Sequence, residues 1–154
     1  MSIEKARKHL SRWGKDSLVV EHEVSSATVE LAALALGTDA ARIAKTLSFL
    51  NGERTLLVVA AGDARVDSAK FKKAFGIKKA RMVPAEEVEP RIGHAIGGVC
   101  PFGVNEGVEI YLDESLKRFE TVYPAAGTSA SAVHLTIEEL ERASECLGWV
   151  AVTK

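Results

Sequence analysis

The dipeptide Asn51-Gly52 sits between two β-rich runs, KTLSFL and ERTLLVVAAG. Asn-Gly favours the two-residue type I′ turn, because its backbone twist matches that of the flanking strands. The two runs are therefore predicted to pair antiparallel as a long hairpin. That constrains the fold, because the rest of the chain interleaves helices with strands, an order that by itself gives parallel pairing. A hairpin inside such an order requires a mixed sheet.

The flanking segments carry their own punctuation. Ile3, Ala6, Leu10 and Trp13 recur at helical spacing and stop at Gly14. SLVVEHEV, residues 17–24, reads as a strand. Ser25 or Ser26 can cap the helical run TVELAALALG, which ends at Gly37, and Thr38 or Asp39 can cap a further short turn. Asp67 and Ser68 cap AKFKKAFG, whereas Pro84 starts AEEVEPRIG, read as a turn. VEIYLDE, FETVYPAAG and SAVHLT read as strands. Thr136 with Glu139 has capping-box spacing at the head of a helix over TIEELERASECLG, and WVAVT is a last strand. The expectation is an α/β (α+β) fold: residues 1–154 as one compact domain, with a curved mixed sheet flanked by helices.

Composition narrows the function classes. Twenty Lys+Arg against 21 Asp+Glu leave a formal net charge of −1, so nucleic-acid contact has to come from a local patch, and general DNA binding is not expected. The N-terminal stretch is charged and amphipathic without an apolar core, and no later run approaches a membrane span. Cys100 and Cys146 form no C-x-x-C pair, which fits a reducing compartment. A cytoplasmic protein with no membrane partner is expected. The four histidines, His9, His22, His94 and His134, lack metal-ligand spacing, so neither a metal nor a cofactor is expected.

Three features stand out as candidate chemistry. Residues 97–104, GGVCPFGV, place three glycines, a proline and a cysteine in an otherwise apolar run. Adjacent glycines there mark a sharp turn or a close approach of main chain to something else. They match neither a P-loop nor a dinucleotide fingerprint. Cys100 near His94 admits a nucleophile reading, against the commoner role of cysteine as a small buried hydrophobe. Lys45 opens an apolar strand, so its ammonium either snorkels out or sits in a partly covered pocket. Finally Arg65, Lys70, Lys72, Lys73, Lys78, Lys79 and Arg81 form a basic strip opposed within it only by Asp67. Such a strip is a solvated face or a track for a phosphate backbone.

Taken together, SSATVELAALALGTDAARIAKTLSF, the Asn-Gly hairpin, GHAIGGVCPFGV and PAAGTSASAVHLTIEEL resemble, in that order, the YbaK/ProX family of aminoacyl-tRNA deacylases. These are relatives of the editing domain of bacterial prolyl-tRNA synthetases, and the resemblance covers roughly residues 18–150. It implies hydrolysis of the ester between a wrong amino acid and the 3′ end of a transfer RNA. By this resemblance Lys45 matches the family lysine, and Gly97 and Pro101 match its G-x-x-x-P element, with Gly98 between them. Gly127, Thr128 and Ser129 match the later turn that lines the family pocket. Main-chain N–H groups of the glycine loop are suited to the charge that grows on an attacked carbonyl oxygen, and Lys45 to a phosphate or ribose oxygen of the terminal adenosine. Lys45, Gly97 and Gly98 are then the catalytic candidates, and Pro101, Gly127, Thr128 and Ser129 the substrate-binding ones. Lys70, Lys72, Lys73, Lys78 and Lys79 are candidate tRNA contacts.

Two departures bear on the substrate. TSASAVHL lacks the aspartate that cysteinyl-tRNA deacylases of the family tend to carry, and SLVVEHEV lacks an early pocket tyrosine. Ala130 and Ala132 suit a small amino acid such as alanine, serine or cysteine. The partners implied are the acceptor end of mischarged tRNA and an aminoacyl-tRNA synthetase. A different class of reading is a catalytically silent module of the same fold, holding tRNA or a synthetase. Lys45, Gly97 and Pro101 standing together favour the enzyme.

Overall fold

The computed structural model describes residues 2–22 and 28–154. Its elements run α1 (Ser2–Ser11), β1 (Val19–Glu21), α2 (Val29–Leu36), β2 (Ile43–Asn51), β3 (Arg54–Ala61), α3 (Ser68–Phe75), β4 (Arg81–Met82), α4 (Ala85–Ile92), β5 (Glu109–Asp113), β6 (Thr121–Pro124), β7 (Ser131–Val133), β8 (Leu135–Thr136), α5 (Ile137–Ser144) and β9 (Gly148–Val150). One sheet has the order β8-β6-β2-β3-β5-β9 with β4 attached to β2, and β1 pairs β7 in a small second sheet. The large sheet is mixed: β2 is antiparallel to β3 and β4 but parallel to β6, and β3 is parallel to β5. It curls into a half-barrel flanked by helices, the architecture expected from the hairpin embedded in a helix-strand alternation.

The hairpin is where the sequence put it, with one difference. Asn51 pairs with Arg54 across a two-residue loop, and Gly52 has φ 64° while Glu53 is not in the left-handed region. A type I′ turn needs positive φ at both central positions, and Glu53 carries a Cβ that opposes it, so the turn is of another type. Strand β3 is almost wholly buried, with Leu56, Leu57, Val58 and Val59 at 0% exposure, because helices cover both faces of the sheet centre. On one face Phe71 of α3 packs on Phe49 of β2, ring centroids 4.4 Å apart.

Three local expectations are corrected. Of the strand read over 17–24, the described residues show Val19–Glu21, preceded by a 3-10 turn Asp16–Leu18, while residues 23 and 24 lie outside the described residues. Ser25 and Ser26 also lie outside them; the cap of α2 is Thr28, whose side chain accepts from the Leu31 N–H. AEEVEPRIG is a helix and not a turn. Pro84 stands at its N-cap, and Val88 and Ile92, one turn apart, are both buried; their burial carries the segment past Pro90. By contrast the capping box holds: the Thr136 side chain accepts from the Glu139 N–H, and the Glu139 carboxylate accepts from the Thr136 N–H.

Candidate functional site

Strand β2 is paired with β3 from Ala44 to Asn51 along one edge and has a gap along the other. On that second edge β6 pairs with Ile43 and Ala44, β4 pairs with Phe49 and Leu50, and the Val83 N–H donates to the Ser48 carbonyl at 3.1 Å. Between those partners residues 45–47 face no strand. A cavity of about 420 Å3 occupies the gap. Because it opens at a strand edge, side chains from both faces of β2 reach it: Lys45 and Leu47 from one, Thr46 and Ser48 from the other. Helix α2 closes one side, through Val29 and Ala32 among others, and Val83 and Val88 close another.

Strand alternation has a chemical consequence here. The parity that points the Ser48 carbonyl outward to Val83 points the Thr46 N–H and C=O the same way, into the gap. The Thr46 hydroxyl Oγ1 is itself buried and has no hydrogen-bond partner among the described residues. Such an atom loses its water without compensation unless something else supplies a partner. Sequence reasoning missed Thr46, since its signal lies in strand order and not in local pattern.

Lys45 lies on the wall with its ammonium tied to the loop after β3. Nζ donates to the Ala64 carbonyl and, at 3.4 Å, to the Gly62 carbonyl. An ammonium has three donors, so one remains beyond these two. Burial pushes its pKa below the ordinary lysine value; Asp63 nearby opposes the shift and Arg65 adds to it. Asp63 is in turn gripped by Arg118, with one of the two hydrogen bonds at 3.1 Å, which holds its carboxyl below the usual range. The result is a lysine held by main-chain carbonyls, with a second cation, Arg65, beside it.

Of the residues singled out from the sequence, the cavity brings together Lys45, Gly97, Thr128 and Ser129, from β2, the glycine loop and the loop before β7. Gly97 has φ 91°, and a β-carbon on it would come within 3.2 Å of the Ser129 Cβ. Thr128 is fixed by Ser131, whose Oγ accepts from the Thr128 N–H at 3.2 Å and donates to its carbonyl at 3.0 Å.

Gly98, Pro101 and Gly127 do not reach the wall. All three are buried behind it, and the Gly98 N–H donates to the Ala95 carbonyl at 3.0 Å, so that donor is engaged within the loop. Gly98 is a glycine for a different reason: a β-carbon there would lie 2.3 Å from the Gly127 carbonyl oxygen. The two glycine loops are back to back. Cys100 is also buried, 3.6 Å from His94 Nε2, and burial pushes its thiol up to about 12. It is therefore a thiol and not a thiolate at neutral pH, and it does not line the cavity.

The basic strip sits elsewhere. Lys70, Lys72, Lys73, Lys78 and Lys79 are exposed and none lines the cavity. Lys70 donates to the Thr153 carbonyl at 2.9 Å, beside the C-terminus. Lys78 and Lys79 lead into β4, whose Met82 is on the cavity rim. Among the described residues no group of His, Cys, Asp and Glu is arranged to hold a metal, and no helix is long and apolar enough to cross a membrane.

The chain has relatives among known proteins. The sequence pattern of the aminoacyl-tRNA editing domain matches residues 23–143. The chain is 49% identical to the uncharacterized protein YwhH of Bacillus subtilis, over the whole chain and 98% of that protein. It is 30% identical to EbsC of Enterococcus faecalis, a proposed Cys-tRNA(Pro)/Cys-tRNA(Cys) deacylase, over 83% of this chain and 73% of EbsC. It also matches 17% of the length of the proline–tRNA ligase of Bacillus subtilis, at 29% identity over 62% of this chain. Its backbone superposes on the crystal structure of a proposed trans-editing enzyme for prolyl tRNA synthetase with a TM-score of 0.89, at 31% identity, covering 99% of this chain and 97% of that one.

Proposed function

The chain belongs to the aminoacyl-tRNA editing-domain family, and from that membership we propose that it is a deacylase acting in trans on mischarged tRNA. The observation that carries this reading is the convergence of Lys45, Gly97, Thr128 and Ser129 on one open cavity from three separated stretches of chain.

The chemistry follows from the ester. Water, which a hydroxyl of the substrate's own ribose can help to place, adds to the carbonyl carbon; the carbonyl oxygen gains charge; the bond to the ribose oxygen then breaks, and that oxygen takes up the proton the water gives up. With water as the attacking group the products are the free amino acid and a tRNA with its hydroxyl restored. An ester of this kind needs no enzyme nucleophile once the attacking oxygen is placed, and positioning alone supplies much of the rate. Main chain at Gly97 stands where no Cβ blocks the approach of a carbonyl oxygen, and its N–H is the donor suited to the developing charge. Lys45 keeps one donor for a ribose or phosphate oxygen of the terminal nucleotide, and its cation, with Arg65 beside it, offsets the charge of the nucleic acid.

The amino-acid end is read by the apolar wall with its hydroxyls. The Thr46 amide and carbonyl offer polar contacts to the amino acid, the Thr46 hydroxyl lies buried just behind them, and the small side chains Ala32, Ala44, Ala125 and Ala132 line the wall. A small amino acid, alanine, serine or cysteine, fits that lining. The exposed lysines Lys72, Lys73, Lys78 and Lys79 are suited to the acceptor stem, and a synthetase is the partner that would present it. Timing the loss of each ester from a panel of charged tRNAs tests the reading: selective loss from one or a few small amino acids supports it, and no loss from any defeats it.

A further inference from the structure

The glycine loop is held by a buried histidine that never reaches the cavity. Helix α4 ends at Ile92 with Gly93 in the left-handed region, φ 99°, and the chain then runs out through Ala95 and Ile96 and back through Val99 and Cys100. His94 stands at the start of this excursion and Phe102 at its end. Both are at 0% exposure, and His94 Nε2 is 2.6 Å from the Phe102 carbonyl oxygen. A carbonyl only accepts, so Nε2 carries the hydrogen. Nδ1 is then the bare nitrogen of a neutral ring, buried without a partner among the described residues. The Cys100 thiol donates to the same carbonyl at 3.6 Å.

Two groups thus converge on one main-chain oxygen, and the bond from His94 closes the seven residues 95–101 into a ring. Gly97 and Gly98 are inside it. From that ring Gly98 fits against Gly127 and Gly97 reaches Ser129. A loop of this length, rich in glycine, has many conformations of similar energy unless something fixes its ends. We infer that His94 is a positioning residue, a strut whose Nε2–H to Phe102 bond fixes where the Gly97 main chain meets the cavity. The inference rests on the deacylase reading for its effect on rate, but the strut itself is a statement about the loop and is measurable without any substrate.

Three variants separate the strut from simple core packing. A glutamine side-chain N–H can stand in for Nε2–H, an asparagine is polar but too short to reach Phe102, and a leucine fills space without donating. Per folded molecule, His94→Gln is expected to keep kcat within about fivefold of the natural chain. His94→Asn and His94→Leu are expected to lose about a hundredfold in kcat with KM changed less than threefold, the effect of misplacing a group by about an ångström. Amide hydrogen exchange at Gly98, whose N–H is bonded to Ala95, reads the loop directly: about tenfold or more faster in His94→Asn than in His94→Gln if the strut holds. Should His94→Leu not fold, the Asn and Gln pair decides alone. Equal Gly98 exchange in Asn and Gln variants overturns the strut, whether or not any ester is cleaved. Protection that differs as expected, in a protein that cleaves no charged tRNA, upholds the strut and removes the deacylase reading.

Discussion

Gly98 and Gly127 meet main chain to main chain: a β-carbon on Gly98 would lie 2.3 Å from the Gly127 carbonyl oxygen and 2.7 Å from the Thr128 Cα. No side-chain end is present there to swing away. Gly98→Ala must therefore push apart the loop that carries Gly97 and the loop that carries Thr128 and Ser129. We expect a loss of about 3 kcal/mol or more in stability, together with a loss of activity in what remains folded. Gly97→Ala meets the Ser129 side chain, with Cβ at 3.2 Å and Oγ at 3.9 Å, and a backbone penalty of about 1–2 kcal/mol for its positive φ. Denaturant melts of the two variants should rank Gly98→Ala as the less stable; the reverse order would mean that the two loops yield easily.

Thr46→Val offers an unusual signature. The hydroxyl it removes has no partner among the described residues, so its loss relieves a buried unsatisfied group, an effect of about 1–3 kcal/mol in favour of the fold. If that hydroxyl receives a substrate group, activity should fall by about tenfold while Tm stays level or rises. A variant with unchanged kcat/KM would leave Thr46 as wall only.

Cys100→Ser should keep activity within a few-fold. A serine hydroxyl can donate to the Phe102 carbonyl as the thiol does, and a buried thiol with its pKa pushed up to about 12 is a poor nucleophile. Native protein should likewise resist alkylation at Cys100. Near-total loss of turnover, or an acyl group trapped on its sulfur, would point to covalent catalysis.

Stability should fall as the solution is acidified through the range where histidine titrates. Burial depresses the pKa of His94; the bond to the Phe102 carbonyl opposes the shift, and Lys5 and His9 on α1 add to it, so that below about 6.5 the unfolded chain takes up a proton more readily than the folded one. The slope from this one group is at most about 1.4 kcal/mol per pH unit, with stability lost as pH falls and regained as it rises. The drop in Tm between pH 7.5 and 5.5 should be smaller in His94→Gln, which does not titrate. Equal drops would mean that His94 takes its proton as readily folded as unfolded.

Features carried by local chemistry were readable from the sequence. Asn51-Gly52 gave the hairpin because a tight turn is fixed by its own residues, and Thr136 with Glu139 gave the start of α5 because a capping box spans four positions. Helix α4 was misread since Pro84 and Pro90 are local breakers, while the burial of Val88 and Ile92 that outweighs them is tertiary. The cavity was legible only through the resemblance. Its position depends on β6 and β4 leaving residues 45–47 of β2 unpaired, which is a property of strand order. For the same reason no local pattern separates Gly97, which faces the cavity, from Gly98, which faces Gly127.

Lys45 carries the central claim, and one paired measurement tests it. The ammonium contributes two hydrogen bonds to the carbonyls of Gly62 and Ala64 and little apolar packing, so Lys45→Ala should stay folded, with a stability change of about 1 kcal/mol or less. The rate of ester loss from a mischarged tRNA, measured for the natural chain and for Lys45→Ala in parallel, should fall by about a hundredfold or more. Equal rates from a folded Lys45→Ala protein would contradict the account.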